Sequence, residues 1–187
     1  MVVGLPRGGV VVAFEVARVL GRPLDVIIAG KLRAPENPEL AIGAVTEDGE
    51  TYLNKRVVKM LGVDDVYIEG ERRERMKLIQ ARLTSYRAVK KKAPLKDRTV
   101  ILVDDGIATG STMIAAVQAV SAEGAAKVVV AVPGGPKDTL GEITAMDEVS
   151  DVVYLTAPEV FYAVSQLYAD FDQVEDAEVV GLLKKSL

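Results

Sequence analysis

Short apolar runs alternate with longer amphipathic stretches along most of the chain. Residues 2–5 form an apolar run that leads into Pro6-Arg7-Gly8-Gly9. Residues 10–20, VVVAFEVARVL, predict a helix closed by Gly21, although the valines also suit a strand. Residues 24–29 predict the next strand. Residues 30–41, GKLRAPENPELA, carry two prolines and mixed charge and predict a loop. Residues 42–53 predict a hairpin turning at Asp48-Gly49. Residues 64–88 predict a long charged helix on which Met76, Ile79, Leu83 and Tyr86 form one apolar stripe. Three lysines, 90–92, follow and read as a solvated surface run.

Three more units complete the pattern. Residues 99–103 predict a strand, and residues 111–123 a helix closed by Gly124. Residues 127–132 predict a strand ended by Pro133-Gly134-Gly135-Pro136, with a short helix over 138–146. Residues 149–155 predict a last strand, and two small helices follow over 159–170 and 176–186, the second with Asp176 as N-cap. Strands separated by helices imply crossover connections and a parallel sheet covered on both faces. The nearly unbroken apolar character of TVILV and KVVVAV fits strands buried on two sides. The expected architecture is one α/β domain over 1–187, a central parallel sheet with helices on both faces. Its core spans about 1–30 and 98–155, a loop and hairpin insertion about 31–97, and a small C-terminal hood about 156–187.

Composition narrows the chemistry. The 187 residues include no cysteine and no histidine. Thiolate nucleophiles, thiolate or imidazole metal sites and Ser-His-Asp triads are therefore excluded. A bound metal has to be a hard cation on oxygen ligands, such as Mg²⁺. The net charge of −4 provides no general field for nucleic acid or an anionic membrane, so an anionic ligand needs a local positive site. No apolar run approaches membrane-spanning length, and Met1 leads straight into a strand-like run without a signal peptide; the expected location is the cytoplasm.

The most informative stretch is TVILVDDGIATGSTM, residues 99–113. Asp104 and Asp105 stand at the carboxyl end of a predicted strand, where open parallel sheets bind ligands. From Gly106 to Ser111 the chain turns into a helix, whose N-terminal amides attract an anion. Gly110 permits close backbone approach, and Thr109, Ser111 and Thr112 add hydroxyls. Carboxylates beside an anion site repel the anion unless hydroxyls or a cation lie between them. A pentose 5-phosphate supplies both a phosphate and a vicinal diol. The blander alternative is that the aspartates cap the helix and the glycine fills a turn.

VILVDDGIATGST resembles the phosphoribosyl-pyrophosphate (PRPP) motif of type I phosphoribosyltransferases. It has an apolar strand, two acids, a few small residues and Thr-Gly-x-Thr. The resemblance implies that Asp104 and Asp105 contact the ribose hydroxyls and a Mg²⁺ ion, directly or through water. It also implies that Ala108, Thr109, Gly110, Ser111 and Thr112 hold the 5′-phosphate, with Gly106 and Ile107 also among the PRPP-binding residues. GLPRGG, with Arg7, Gly8 and Gly9, falls where the family carries its pyrophosphate loop, and on its own also reads as a turn into a helix. Residues 29–45 fall where the family carries a flexible catalytic loop, which makes Lys31 and Arg33 candidates to neutralise the leaving group. An acceptor pocket is expected between Pro133, Gly134 and the hood, with Tyr154, Phe161 and Tyr162 as stacking surfaces; these aromatics also read as packing residues.

The implied enzyme is a PRPP- and Mg²⁺-dependent transferase of nucleotide salvage type, acting on a base or related nitrogen acceptor and releasing pyrophosphate. Ala108 stands where hypoxanthine–guanine members carry an aspartate and matches adenine-type members, which leaves the acceptor open. The family often has a helix before the first strand. Its absence before Met1 leads to the expectation of a homodimer covering the exposed apolar surface. The alternative function is a non-catalytic PRPP-sensing regulator.

Overall fold

The apolar runs at both ends of the chain pair as one sheet. The computed structural model describes residues 1–186. In chain order its elements are Val2–Gly4 (β1), Gly8–Leu20 (α1), Leu24–Val26 (β2), Gly30–Ala34 (β3), Asn37–Val45 (β4), Thr51–Leu53 (β5), Lys55–Leu61 (α2), Asp65–Val89 (α3), Thr99–Val103 (β6), Ser111–Ala122 (α4), Lys127–Gly134 (β7), Lys137–Thr144 (α5), Val149–Thr156 (β8) and Asp176–Lys185 (α6). The main sheet is parallel throughout, in the order β2-β1-β6-β7-β8. Strand β1 pairs with β6 in the register Val2↔Ile101 to Gly4↔Val103. Connections leave β1 toward β2 and leave β6 toward β7, so the chain changes direction between β1 and β6. Open α/β sheets present their ligand crevice at such a point, beyond the carboxyl ends of the strands.

Alternation along the strands builds two cores. Val2 and Val103 face the core formed with α1, α3 and α6, while Val3, Val100 and Leu102 face the core formed with α4 and α5. Gly21 closes α1 in the left-handed conformation.

Residues 30–41 are not a loop. They form β3 and most of β4, an antiparallel ribbon whose turn is Pro35-Glu36, with Ala34 paired to Asn37. Proline at the turn fits its fixed backbone angle, and irregular register around Arg33 relaxes the pairing opposite Pro38. Strands β3, β4 and β5 make a second, three-stranded sheet. This sheet packs on α4, so α4 is covered by strands on two sides. That explains why Ala115, Ala116, Val117, Ala119 and Val120 are all fully buried.

Three other expectations change. Helix α2 lies outside the expected elements; it starts where the Asn54 side chain accepts a hydrogen bond from Val57 N at 3.1 Å. The helix expected over 159–170 is a single 3-10 turn, Val164–Leu167. Asp176 is the first residue of α6 rather than its N-cap, which is Glu175, and its carboxylate accepts the Tyr86 hydroxyl instead.

The lysine run is not simply solvated. Lys92 Nζ reaches Glu123 at 2.9 Å and Glu47 at 3.7 Å, and also contacts Asp48. Beside it, Arg87 bonds Asp25 at 2.7 Å and Glu47 at 2.9 Å, both carboxylates being buried. This ionic cluster ties the end of α3 to β2 and to the β4–β5 turn. Among the described residues no helix is long and apolar enough to cross a membrane.

Candidate active site

The site forms where β1 and β6 end. Leu5 N donates to Val103 O at 2.9 Å, which keeps the two strand exits side by side. The Pro6–Arg7 peptide is cis, and α1 begins at Gly8. Gly8 and Gly9 lie directly against the acidic pair. A Cβ on Gly8 would stand 1.9 Å from Asp105 Oδ2, and one on Gly9 would stand 2.7 Å from Asp104 Oδ1. No side chain fits there, so the glycine-rich turn and the two carboxylates form one tightly apposed unit.

Asp104 and Asp105 are mostly enclosed, and Asp105 N donates to Asp104 Oδ1 at 2.9 Å. Burial lifts the Asp104 carboxyl well above the usual aspartate range, and the neighbouring Asp105 charge lifts it further. Burial raises Asp105 as well. A pair of this kind favours hydroxyl donors or a cation that relieve the uncompensated charge.

Gly110, at φ +75°, is the N-cap of α4 and takes the left-handed conformation that suits glycine. The first intrahelical bond is Ile114 N to Gly110 O at 2.8 Å, so the amides ahead of it are open to an anion. Thr109 and Ser111 hydroxyls share a hydrogen bond of 2.9 Å, and Lys31 Nζ donates to Ser111 Oγ at 2.8 Å. A hollow of about 180 Å³ lies over this turn, lined by Asp104, residues 106–110, Thr112, Met113 and Val164. The loop is fixed from behind by Ile107 N donating to Gly134 O at 3.0 Å.

A cleft of about 750 Å³ opens beside Asp105. Arg7, Gly8, Val11 and Val12 form one wall, and the hood from Tyr168 to Val174, with Glu178, forms the other. Tyr168 donates its hydroxyl to Asp105 O at 2.6 Å, and its ring meets Phe171 at 5.2 Å between centroids. Burial, with the negative charges of Asp105 and Asp104 nearby, pushes the Tyr168 phenol up to about 12. Arg7 reaches across to Glu175 at 3.3 Å.

The sequence of residues 1–172 matches the family model for the phosphoribosyl transferase domain. The chain belongs to this family. The crystal structure of TT1426 from Thermus thermophilus is 44% identical, with a TM-score of 0.93, over 98% of this chain and 86% of that one. Two Mycobacterium tuberculosis proteins, of strains CDC 1551 and H37Rv, are named as candidate phosphoribosyl transferases. Each is 45% identical over 186 residues, which is 100% of this chain and 42% of theirs. The chain thus spans less than half the length of these curated relatives.

Among the residues singled out from the sequence, the fold brings together Arg7, Gly8, Gly9, Asp104, Asp105 and the turn from Gly106 to Thr112, with Lys31 added from β3. Arg33 is placed elsewhere. Its guanidinium bonds Glu71 of α3 at 2.9 and 3.1 Å, and its backbone N bonds the same carboxylate at 3.1 Å. Pro133 and Gly134 end β7 behind the loop. Tyr154 lies exposed on the edge strand β8, and Tyr162 is 84% exposed. Neither these nor Phe161 line the 750 Å³ cleft, whose aromatics are Tyr168 and Phe171. Tyr168 carried no local signal, because its position depends on the 3-10 turn packing Val164 and Leu167 against Gly106.

A divalent cation is tested by the donor set. Among the described residues no group of three or more acidic side chains could cage a metal. Two adjacent carboxylates do suit Mg²⁺, which typically takes one or two protein carboxylates and completes its shell with water and substrate oxygens. Asp104 and Asp105 fit that pattern.

Proposed function

We propose that this domain transfers a 5-phosphoribosyl group from PRPP to a nitrogen of a flat heterocyclic acceptor and releases pyrophosphate. The observation that carries the reading is the juxtaposition, within one turn, of two enclosed carboxylates and the open amides of α4. A phosphate monoester suits the amides, and a vicinal diol suits the carboxylates. Family membership supports the same chemistry.

In this reading the Gly106–Thr112 backbone and the hydroxyls of Thr109 and Ser111 bind the 5′-phosphate. Asp104 and Asp105 accept hydrogen bonds from the ribose hydroxyls and would hold Mg²⁺. Bound there, Mg²⁺ would supply positive charge to the donor's pyrophosphate oxygens. Arg7 and Lys31 add fixed positive charge on the leaving-group side. The C1–O bond breaks with its electron pair leaving on pyrophosphate, the acceptor lone pair forms the C1–N bond, and the acceptor nitrogen sheds a proton. Holding both reactants in line is the main contribution of the chain, since no nucleophilic side chain is required. The cleft between Val11, Val12, Tyr168 and Phe171 suits a planar acceptor.

The direct test is to incubate the protein with PRPP, Mg²⁺ and a panel of nucleobases and related amines, and to follow pyrophosphate. Acceptor-dependent release supports the transferase. Saturable PRPP binding without pyrophosphate from any acceptor contradicts it and favours the non-catalytic sensor.

A further inference from the structure

Planarity alone does not account for the lining of the cleft beside Asp105. Val11 and Val12 of α1 and Val174 of the hood give it apolar surface. Phe171 adds a ring that stays 45% exposed and meets the Tyr168 ring at 5.2 Å between centroids. Asp170, Asp172 and Glu178 also line the cleft; all three are exposed and form its rim. With Asp105 they set four acidic residues against one cation, Arg7, among the described lining residues. Glu175 already bonds that cation at 3.3 Å.

The hydrogen-bonding capacity of the lining has the same sense. Carboxylates only accept. Tyr168 donates its hydroxyl hydrogen to Asp105 O, so toward a ligand its oxygen can only accept. Asp170, Asp172 and Glu178 form no ion pair among the described residues, so nothing in the described fold neutralises the rim. A ligand filling the cleft meets rings on its faces and mainly acceptors on its polar edge. An amidinium or ammonium satisfies both surfaces, because it only donates and aromatic faces attract cations. A ring carboxylate meets repulsion there. PRPP bound at Asp105 would add further negative charge at the same end of the cleft.

We propose that the acceptor is a planar heterocycle carrying an amidinium or ammonium group apart from its attacking nitrogen. This rests on the transferase reading above and names the acceptor class for the same cleft. The attacking nitrogen is neutral and keeps its lone pair. That pair forms the C1–N bond, the C1–O pair leaves on pyrophosphate, and the attacking nitrogen loses its own proton. The cationic group keeps its protons throughout and is held by Asp170, Asp172 and Glu178 against the face of Phe171.

Benzamidine, benzamide and benzoate are matched planar probes, respectively cationic, neutral and anionic. Their affinities are read by saturation-transfer NMR titration, and ribose 5-phosphate binding by calorimetry. Benzamidine is expected to bind about 5-fold or more tighter than benzamide, and benzoate more weakly than benzamide. In the double variant Asp172→Asn with Glu178→Gln the benzamidine advantage should fall to about twofold or less. Benzamide and ribose 5-phosphate should bind that variant within about twofold of the unsubstituted protein, a split that general unfolding would not produce. Phe171→Ala should weaken benzamidine and benzamide together, as expected for probes seated on that ring. The inference is overturned by equal affinity for benzamidine and benzamide, by no benzamidine binding at about 10 mM, by an advantage that survives the double variant, or by unchanged binding in Phe171→Ala. Any of these with ribose 5-phosphate still bound leaves the transferase reading standing. Failure of ribose 5-phosphate to bind the unsubstituted protein overturns the transferase reading, and the acceptor class with it.

Discussion

The Asp105 carboxylate occupies the space that a side chain on Gly8 would need, with Oδ2 1.9 Å from the position of that missing Cβ. The glycine turn after β1 and the acidic turn after β6 therefore depend on each other. Gly8→Ala must displace Asp105 or the start of α1. Overpacking of this kind destabilises by about 1–3 kcal/mol. The expected outcome is a lower urea midpoint together with loss of ribose 5-phosphate binding by calorimetry. An unchanged midpoint and affinity would mean that the two turns are not coupled.

Asp104 should trade stability for function. Burial and the adjacent Asp105 raise its carboxyl well above the ordinary range. The folded chain then binds protons more readily than the unfolded chain. Stability is full below the ordinary aspartate value and falls as pH rises through the raised one. Asp104→Asn cannot ionise, so it should raise Tm at neutral pH and flatten the pH dependence of stability. The same variant should reduce PRPP-dependent turnover by about 10²–10³. Thermal melts across pH and a pyrophosphate assay check both halves.

Tyr168 joins the hood to the site by one hydrogen bond to Asp105 O. Tyr168→Phe should lose about 0.5–1.5 kcal/mol of stability, the usual net value of such a bond. It should raise KM for the acceptor more than KM for PRPP, because the aromatic cleft is the part that loosens. Steady-state kinetics with either substrate varied gives the comparison.

The Arg87 cluster is structural. Removing the guanidinium leaves the buried Asp25 and Glu47 without their main partner. Breaking a buried pair in this way costs about 3–5 kcal/mol. Arg87→Ala should therefore shift the urea midpoint strongly while any folded fraction retains ribose 5-phosphate affinity. A small shift would mean that Lys92 alone balances Glu47.

The parallel sheet and the acidic, glycine-bearing turn into α4 were legible because their signals are local. Strands such as TVILV are buried on both faces and read as unbroken apolar runs, and the turn carries its acids, glycine and hydroxyls within a few positions. The ribbon over 30–41 was not legible. Its prolines resemble loop signals, and its strand character depends on packing against α4. The apolar and small residues on most sides of α4 were the available sign that something covers its second face. The placing of Arg33 was hidden for a related reason: the sequence shows its charge, but only the tertiary fold sets it on Glu71 of α3. Likewise, choosing Tyr168 over Tyr154 requires knowing that β8 is an edge strand and that the 3-10 turn packs on Gly106.

A crystal structure of the protein soaked or co-crystallised with PRPP and Mg²⁺ tests the central claim most directly. The account predicts the 5-phosphate within hydrogen-bonding distance of the amides between Ala108 and Thr112, with the ribose hydroxyls on Asp104 and Asp105. Sugar phosphate bound elsewhere, or that corner left empty at saturating ligand, would contradict it.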